Sequence, residues 1–150
     1  MTTNAISLLN NELAELRKFV ALLSSEQQSL LENDTDSLLT LSETKTRAAG
    51  LLMDMSNSRR KSLLTNGIDT METWIAKHAP NSQALWGDIQ KFAAQAQHLN
   101  TTNGELIQSR MRHNQQALGV LYSSSKSAAG IYGPDGQANL GNSGRHLGSG

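Results

Sequence analysis

The feature that most constrains this chain is an apolar stripe running from Ser82 to Tyr122 without a proline. Leu85, Ile89, Phe92, Ala96, Leu99, Asn103, Ile107, Met111, Asn114, Leu118 and Leu121 follow one another at steps of three or four residues. That spacing places them on one face of an α-helix. At a rise of about 1.5 Å per residue, a continuous helix over the stretch would be roughly 60 Å long, several times the usual globular length. A helix of that length needs partners to pack against.

The partners lie upstream. Ile6, Leu9, Leu13, Leu16, Val20, Leu23, Gln27 and Leu30 form a heptad seam, widened by Leu8, Phe19, Leu22 and Leu31. Glu12, Glu15, Glu26 and Glu32 read as its polar face, with Arg17 and Lys18. Asn33-Asp34-Thr35-Asp36 interrupts the pattern, and Asp34 or Asp36 is placed to cap a second helix. So short a link makes the two helices antiparallel neighbours. Leu38, Leu41, Ala48, Leu52 and Met55 continue at heptad spacing, with Lys45 in one seam position. Arg59, Arg60 and Lys61 read as a solvated helix end lying near the acidic beginning of the first helix. Asn66-Gly67 closes the second helix. Asp69 and Glu72 resemble a capping box for a short helix that bears Met71, Trp74 and Ile75. His78-Ala79-Pro80-Asn81 ends it, and Ser82 caps the long helix. Trp74 and Trp86 flank this corner and are expected to plug the end of the bundle.

The pattern predicts an all-α fold: an elongated antiparallel helical bundle of three long helices plus a short connecting helix, with a disordered C-terminal tail. The predicted helical domain is residues 1–125 and the flexible tail residues 126–150. Around Gly104 the seam slips out of heptad phase, so a bend is expected there within one continuous helix. The first two helices span about 30 residues each and the third about 40, leaving an overhang of roughly 15 to 20 Å. It would carry Met111, Leu118, Leu121 and Tyr122, and an apolar stripe without an intramolecular partner marks a binding surface. After Tyr122 the composition turns to Ser, Gly and Asn, which predicts a mobile tail. Within it Ile131-Tyr132-Gly133-Pro134-Asp135-Gly136-Gln137 displays two apolar residues beside a tight turn.

Several chemistries find no support. Thirteen basic residues balance 13 acidic ones, so no net field draws the chain to nucleic acid. There is no cysteine, which excludes disulfides and thiolate catalysis and fits a reducing compartment. No apolar run approaches the roughly 18 residues of a membrane span, and the expected location is the cytoplasm. His78, His98, His113 and His146 lack the helical spacing of zinc ligands, and the tail glycines lack the strand and lysine-serine pair of a phosphate loop. No catalytic constellation and no cofactor site are expected.

Asn103-Gly104-Glu105-Leu106-Ile107, Arg110, Asn114-Gln115-Gln116-Ala117-Leu118 and Leu121, followed by Tyr132-Gly133-Pro134-Asp135-Gly136-Gln137, resemble the C-terminal signature of the FlgN family of flagellar type III export chaperones. The resemblance implies a cytoplasmic chaperone that holds a helical segment of unassembled hook-filament junction (hook-associated) proteins. It also implies delivery of that client to the cytoplasmic domain of the export gate. On this chain it places client binding at Leu106, Ile107, Met111, Leu118, Leu121 and Tyr122, and gate docking at Tyr132. A cytoplasmic coiled-coil adaptor or homo-oligomeric scaffold, whose seams pair with one another, remains the alternative, and the oligomeric state stays open.

Overall fold

The computed structural model describes residues 2–65, 67, 70–111 and 115–129. These form five α-helices: α1 (Thr2–Glu32), α2 (Thr35–Thr65), α3 (Met71–His78), α4 (Gln83–Met111) and α5 (Gln115–Ala129). A 3-10 turn at Pro80–Ser82 leads directly into α4, so Ser82 ends that turn where the sequence predicted a cap.

The α1/α2 hairpin forms as its seams predict. Asn33 adopts a left-handed conformation (φ 58°) at the reversal. Asp34 then caps α2, its carboxylate accepting from the Ser37 amide at 3.2 Å and from the Ser37 hydroxyl at 2.6 Å. Gly67, at φ 67°, follows the end of α2 and supplies the conformation for which glycine is suited. The cap of α3 is Thr70, which accepts from the Thr73 amide, in place of the expected Asp69. Thr70 has the extended backbone of a cap residue one position nearer the helix.

Glu72, freed from capping, accepts from the Trp86 indole N–H at 3.0 Å and from Gln90 at 3.1 Å, tying α3 to α4. The Trp86 bond is the chief reason the Glu72 carboxyl is held below its usual value. A depressed carboxyl contributes stability above its unfolded pKa and loses it as pH falls through the folded one. Acidification below 4.5 is therefore expected to weaken this tie, while Met71, Trp74 and Ile75 keep α3 in the core. The Trp86 indole N–H resonance should shift and lose exchange protection over that range, while an unchanged signal would refute the tie.

Leu9, Leu13, Leu16, Phe19, Val20 and Leu23 of α1 form the main core with Leu52, Met53, Trp74, Ile75 and Ile89. Trp74 is buried in it, as a plug should be. Trp86 lies at its edge beneath the Arg59 guanidinium, 4.9 Å from the ring centroid. Arg59 is not a solvated helix end: its Nε donates to both oxygens of buried Glu12 at 3.0 and 3.3 Å. The expected polar face of α1 thus has two exceptions, Glu12 and Glu26, both buried. Glu12 lies three residues after Leu9 and four before Leu16, and Glu26 three after Leu23 and four before Leu30, which puts both inside the stripe.

The long third helix divides. α4 passes through Gly104 and ends at Met111, and α5 returns beside it, with Ser125 against Asn100 and Leu121 clustered with Ile107. The expected overhang is absent: Leu121 is fully buried, and Met111 and Tyr122 pack partly buried against the same cluster. A seam read from sequence is equally apolar whether a helix continues past its partners or folds back onto them. α5 also runs through Ser123 to Ala129, past the point where composition predicted a mobile tail. Ser124, Ser125 and Ala128 are buried, and their small side chains admit a close helix approach. Residues 130–150, which contain Tyr132 and the rest of the expected tail, lie outside the described residues.

α1 and α4 run parallel, as do α2 and α5, while each hairpin is antiparallel. α5 lies against α2 and α4, so one end of the molecule has four helices around its axis. At the other end, α3 packs on α4.

Candidate functional site

Beneath α5 lies a second, smaller core. Leu30 of α1, Leu38 of α2, Ile107 of α4 and Leu121 of α5 are buried together, with Leu106, Met111 and Tyr122 packed against them. Five of the six residues expected to bind a client are therefore brought together here. The sixth, Leu118, lies on α5, and its side chain is outside the described residues. They are closed against the bundle, whereas the sequence had predicted an open stripe. Lys126 covers the outer part of the site, its ammonium 4.7 Å from the Tyr122 ring centroid.

Next to this cluster is a layer of buried polar groups. Lys45 and Glu26 are each 1% exposed, and the Lys45 ammonium donates to the two Glu26 oxygens at 3.1 and 3.3 Å. Its third bond reaches α5, to the Ser125 hydroxyl at 3.1 Å. That hydroxyl donates to the Asn100 side-chain oxygen at 3.4 Å, and the Asn100 amide donates back to the Ser125 carbonyl at 3.0 Å. Asn103, fully buried, donates to the Leu23 carbonyl at 2.8 Å and to Glu26 at 2.9 Å, while its own side-chain oxygen has no partner among the described residues. Thr46 and Ser124 share a further hydroxyl contact at 3.3 Å.

The electrostatics follow from burial. Desolvation pushes the Lys45 ammonium below its ordinary value, and the attraction of Glu26 opposes that shift. Such a pair adds less to stability than apolar groups of equal volume, yet it sets which residues must face each other. α5 is registered by Ser125, because an apolar side chain there would leave Lys45 a bond short. The approach does not depend on Gly104: a Cβ at this position would meet the Ser125 hydroxyl at 3.9 Å, an ordinary contact.

Sequence reading missed this layer, although three signals pointed to it. Lys45 and Asn103 occupy seam positions, and Asn100 lies between Ala96 and Asn103 on the same helical face. A basic residue in one seam and an acidic residue inside the stripe of its antiparallel partner are the signature of a buried pair.

A second concavity, of about 200 Å³, lies between the start of α1, the end of α2 and α3. Leu8, Leu9, Met55, Met71 and Trp74 line it together with the Glu12–Arg59 pair. Among the described residues no group of acidic and histidine side chains is placed to hold a metal ion. No described helix is long and apolar enough to cross a membrane.

These elements define an all-α bundle protein whose last helix closes a seam built of both leucines and buried polar groups. The family model for the FlgN protein matches residues 1–140, and the chain belongs to the FlgN family. That is a family of flagellar export chaperones and not of enzymes. No curated protein and no solved structure matches the chain.

Proposed function

We propose that this protein is a cytoplasmic chaperone for unassembled hook-filament junction proteins. It holds a helical segment of the client, prevents premature polymerisation, and delivers the client to the cytoplasmic domain of the flagellar type III export gate. The observation that carries this reading is the second core, an apolar seam closed by a single 15-residue helix. An amphipathic client helix is recognised by inserting its apolar face between such elements. Leu106, Ile107 and Met111 supply one wall of the site and Leu121 and Tyr122 the other, with Leu118 on the same helix as these two. Binding requires α5 to move away from α2 and α4. The polar layer lowers the cost of that movement, since water solvates Lys45, Glu26 and Ser125 once they are uncovered. Tyr132, within the matched span, docks the loaded chaperone on the gate.

The test is co-purification with hook-associated proteins, using the intact chain and a chain ending at Ala129, which keeps α5 whole. Both should retain the client, whereas Tyr132→Ala in the full chain should bind client normally and export it several-fold less. A folded protein that retains no hook-associated protein would refute the chaperone reading. Loss of client binding in Tyr132→Ala would move that tyrosine into the client site.

A further inference from the structure

The groups that meet Ser125 set a chemical condition on any side chain that takes its place. With α5 moved away, Lys45 loses the bond to the Ser125 hydroxyl. Asn100 loses two: its oxygen no longer accepts from that hydroxyl, and its amide no longer donates to the Ser125 carbonyl. Lys45 and Asn100 are 1% and 5% exposed in the closed bundle, so a helix that enters the groove covers them again. Each polar group covered without a partner then weakens binding.

The replacing side chain must accept from an ammonium and donate to an amide oxygen. Serine, threonine, asparagine and glutamine do both. A carboxylate only accepts, and it brings a second negative charge into a layer where Lys45 and Glu26 already cancel. Lysine and arginine only donate, and they face the Lys45 ammonium. Alanine does neither. Size narrows the choice further, because Ser124, Ser125 and Ala128 are buried where α5 meets its neighbours, which leaves no room for glutamine. Spacing is set by the helix: Leu121, which fills the second core, lies four residues before Ser125 on the same face.

We propose that Lys45 and Asn100 act as a polarity filter on the client. They admit a helical segment in which an apolar residue is followed, four positions later, by serine, threonine or asparagine, with small residues at the third and seventh positions. α5 is the internal example of such a segment, and the client reproduces it on α2 and α4. The inference rests on the client reading above and adds the residues that choose among amphipathic helices. Seam leucines alone accept any apolar face, whereas a site built to hydrogen-bond a substrate group rejects analogues that lack it.

The filter is read first within the full chain, where trypsin cleavage at Lys126 reports release of α5. Ser125→Thr and Ser125→Asn should be cut within about twofold of the wild-type rate, Ser125→Ala about tenfold faster, and Ser125→Asp and Ser125→Lys faster still. The client is read next. In purified hook-associated proteins, each serine, threonine or asparagine that follows an apolar residue by four positions in a helical segment is replaced by alanine and by lysine. Affinity for the full-length chaperone is then measured by calorimetry. One position is expected where alanine weakens binding about tenfold and lysine about a hundredfold or more. Against a chaperone carrying Lys45→Met with Glu26→Leu, the alanine penalty should shrink to about twofold, because the ammonium that required a partner is gone. A client that binds but has no such position, an equal penalty against both chaperones, or a Ser125 series without that order would overturn the filter. Hook-associated proteins that do not bind at all would refute the chaperone reading itself, and the filter on a client falls with it.

Discussion

Replacing Lys45 with methionine is expected to cost the fold about 3–5 kcal/mol, the usual penalty for leaving one member of a buried ion pair without its partner. Methionine fills the volume, but the Glu26 carboxylate, 1% exposed, keeps only the Asn103 amide as donor. Urea unfolding followed by circular dichroism should show the loss, and the melting temperature should fall by about 10 °C or more. A second replacement, Glu26→Leu, removes the stranded charge and should recover most of the stability. Coupling of this size between the two sites is the quantity to measure. Alkaline pH gives an independent check. The Lys45 ammonium is held below 10.5 chiefly by desolvation. Between the folded and unfolded pKa the unfolded chain binds more protons, so this group makes stability rise with pH in that window. The slope should be present in the wild type and missing from Lys45→Met. Equal stability of the wild type and Lys45→Met would show that the pair contributes nothing.

Leu121→Asp is expected to release α5 and abolish client binding. Leu121 is fully buried among Leu30, Leu38 and Ile107, where a carboxylate finds no donor and costs several kcal/mol. That exceeds what one short helix gains by docking, so the helix leaves, taking Ala128 out of the main core, while the rest of that core on α1, α2, α3 and α4 remains. Helix content should fall by no more than the 15 residues of α5, and trypsin should cut readily at Arg110 and Lys126. Leu121→Ala, at about 2–5 kcal/mol, should show the same effects in milder form. Global unfolding of Leu121→Asp would mean that the two cores are one cooperative unit and that α5 is no separable element.

The boundaries that side-chain chemistry dictates were legible from sequence. Asp34 had to cap something, Gly67 had to close something, and Pro80 had to end the short helix before it. The heptad seams of α1 and α2 likewise identified most of the buried leucines. The reversal after Met111 was not legible, because Arg112-His113-Asn114 carries no breaking residue and the seam runs through it. The fold-back follows from tertiary geometry: α2 and α4 leave a groove that α5 fills. The serines of α5 misled for a related reason. Ser123 to Ser127 reads as linker when counted by composition, but Ser124 and Ser125 are buried at close helix contacts. Five of the six residues expected to bind a client gather around the second core, but the open stripe inferred from helix lengths was not found.

Under the proposed function, the three-residue link between α4 and α5 also sets how tightly a client can be held. A helix tethered so closely re-enters its own groove as though present at about millimolar concentration, without diffusing. A client competing for that groove binds with an apparent affinity reduced by the fraction of time the groove stands open. If the client is held in this groove as proposed, α5 acts as a built-in competitor that re-enters as the client's contacts loosen and shortens its residence.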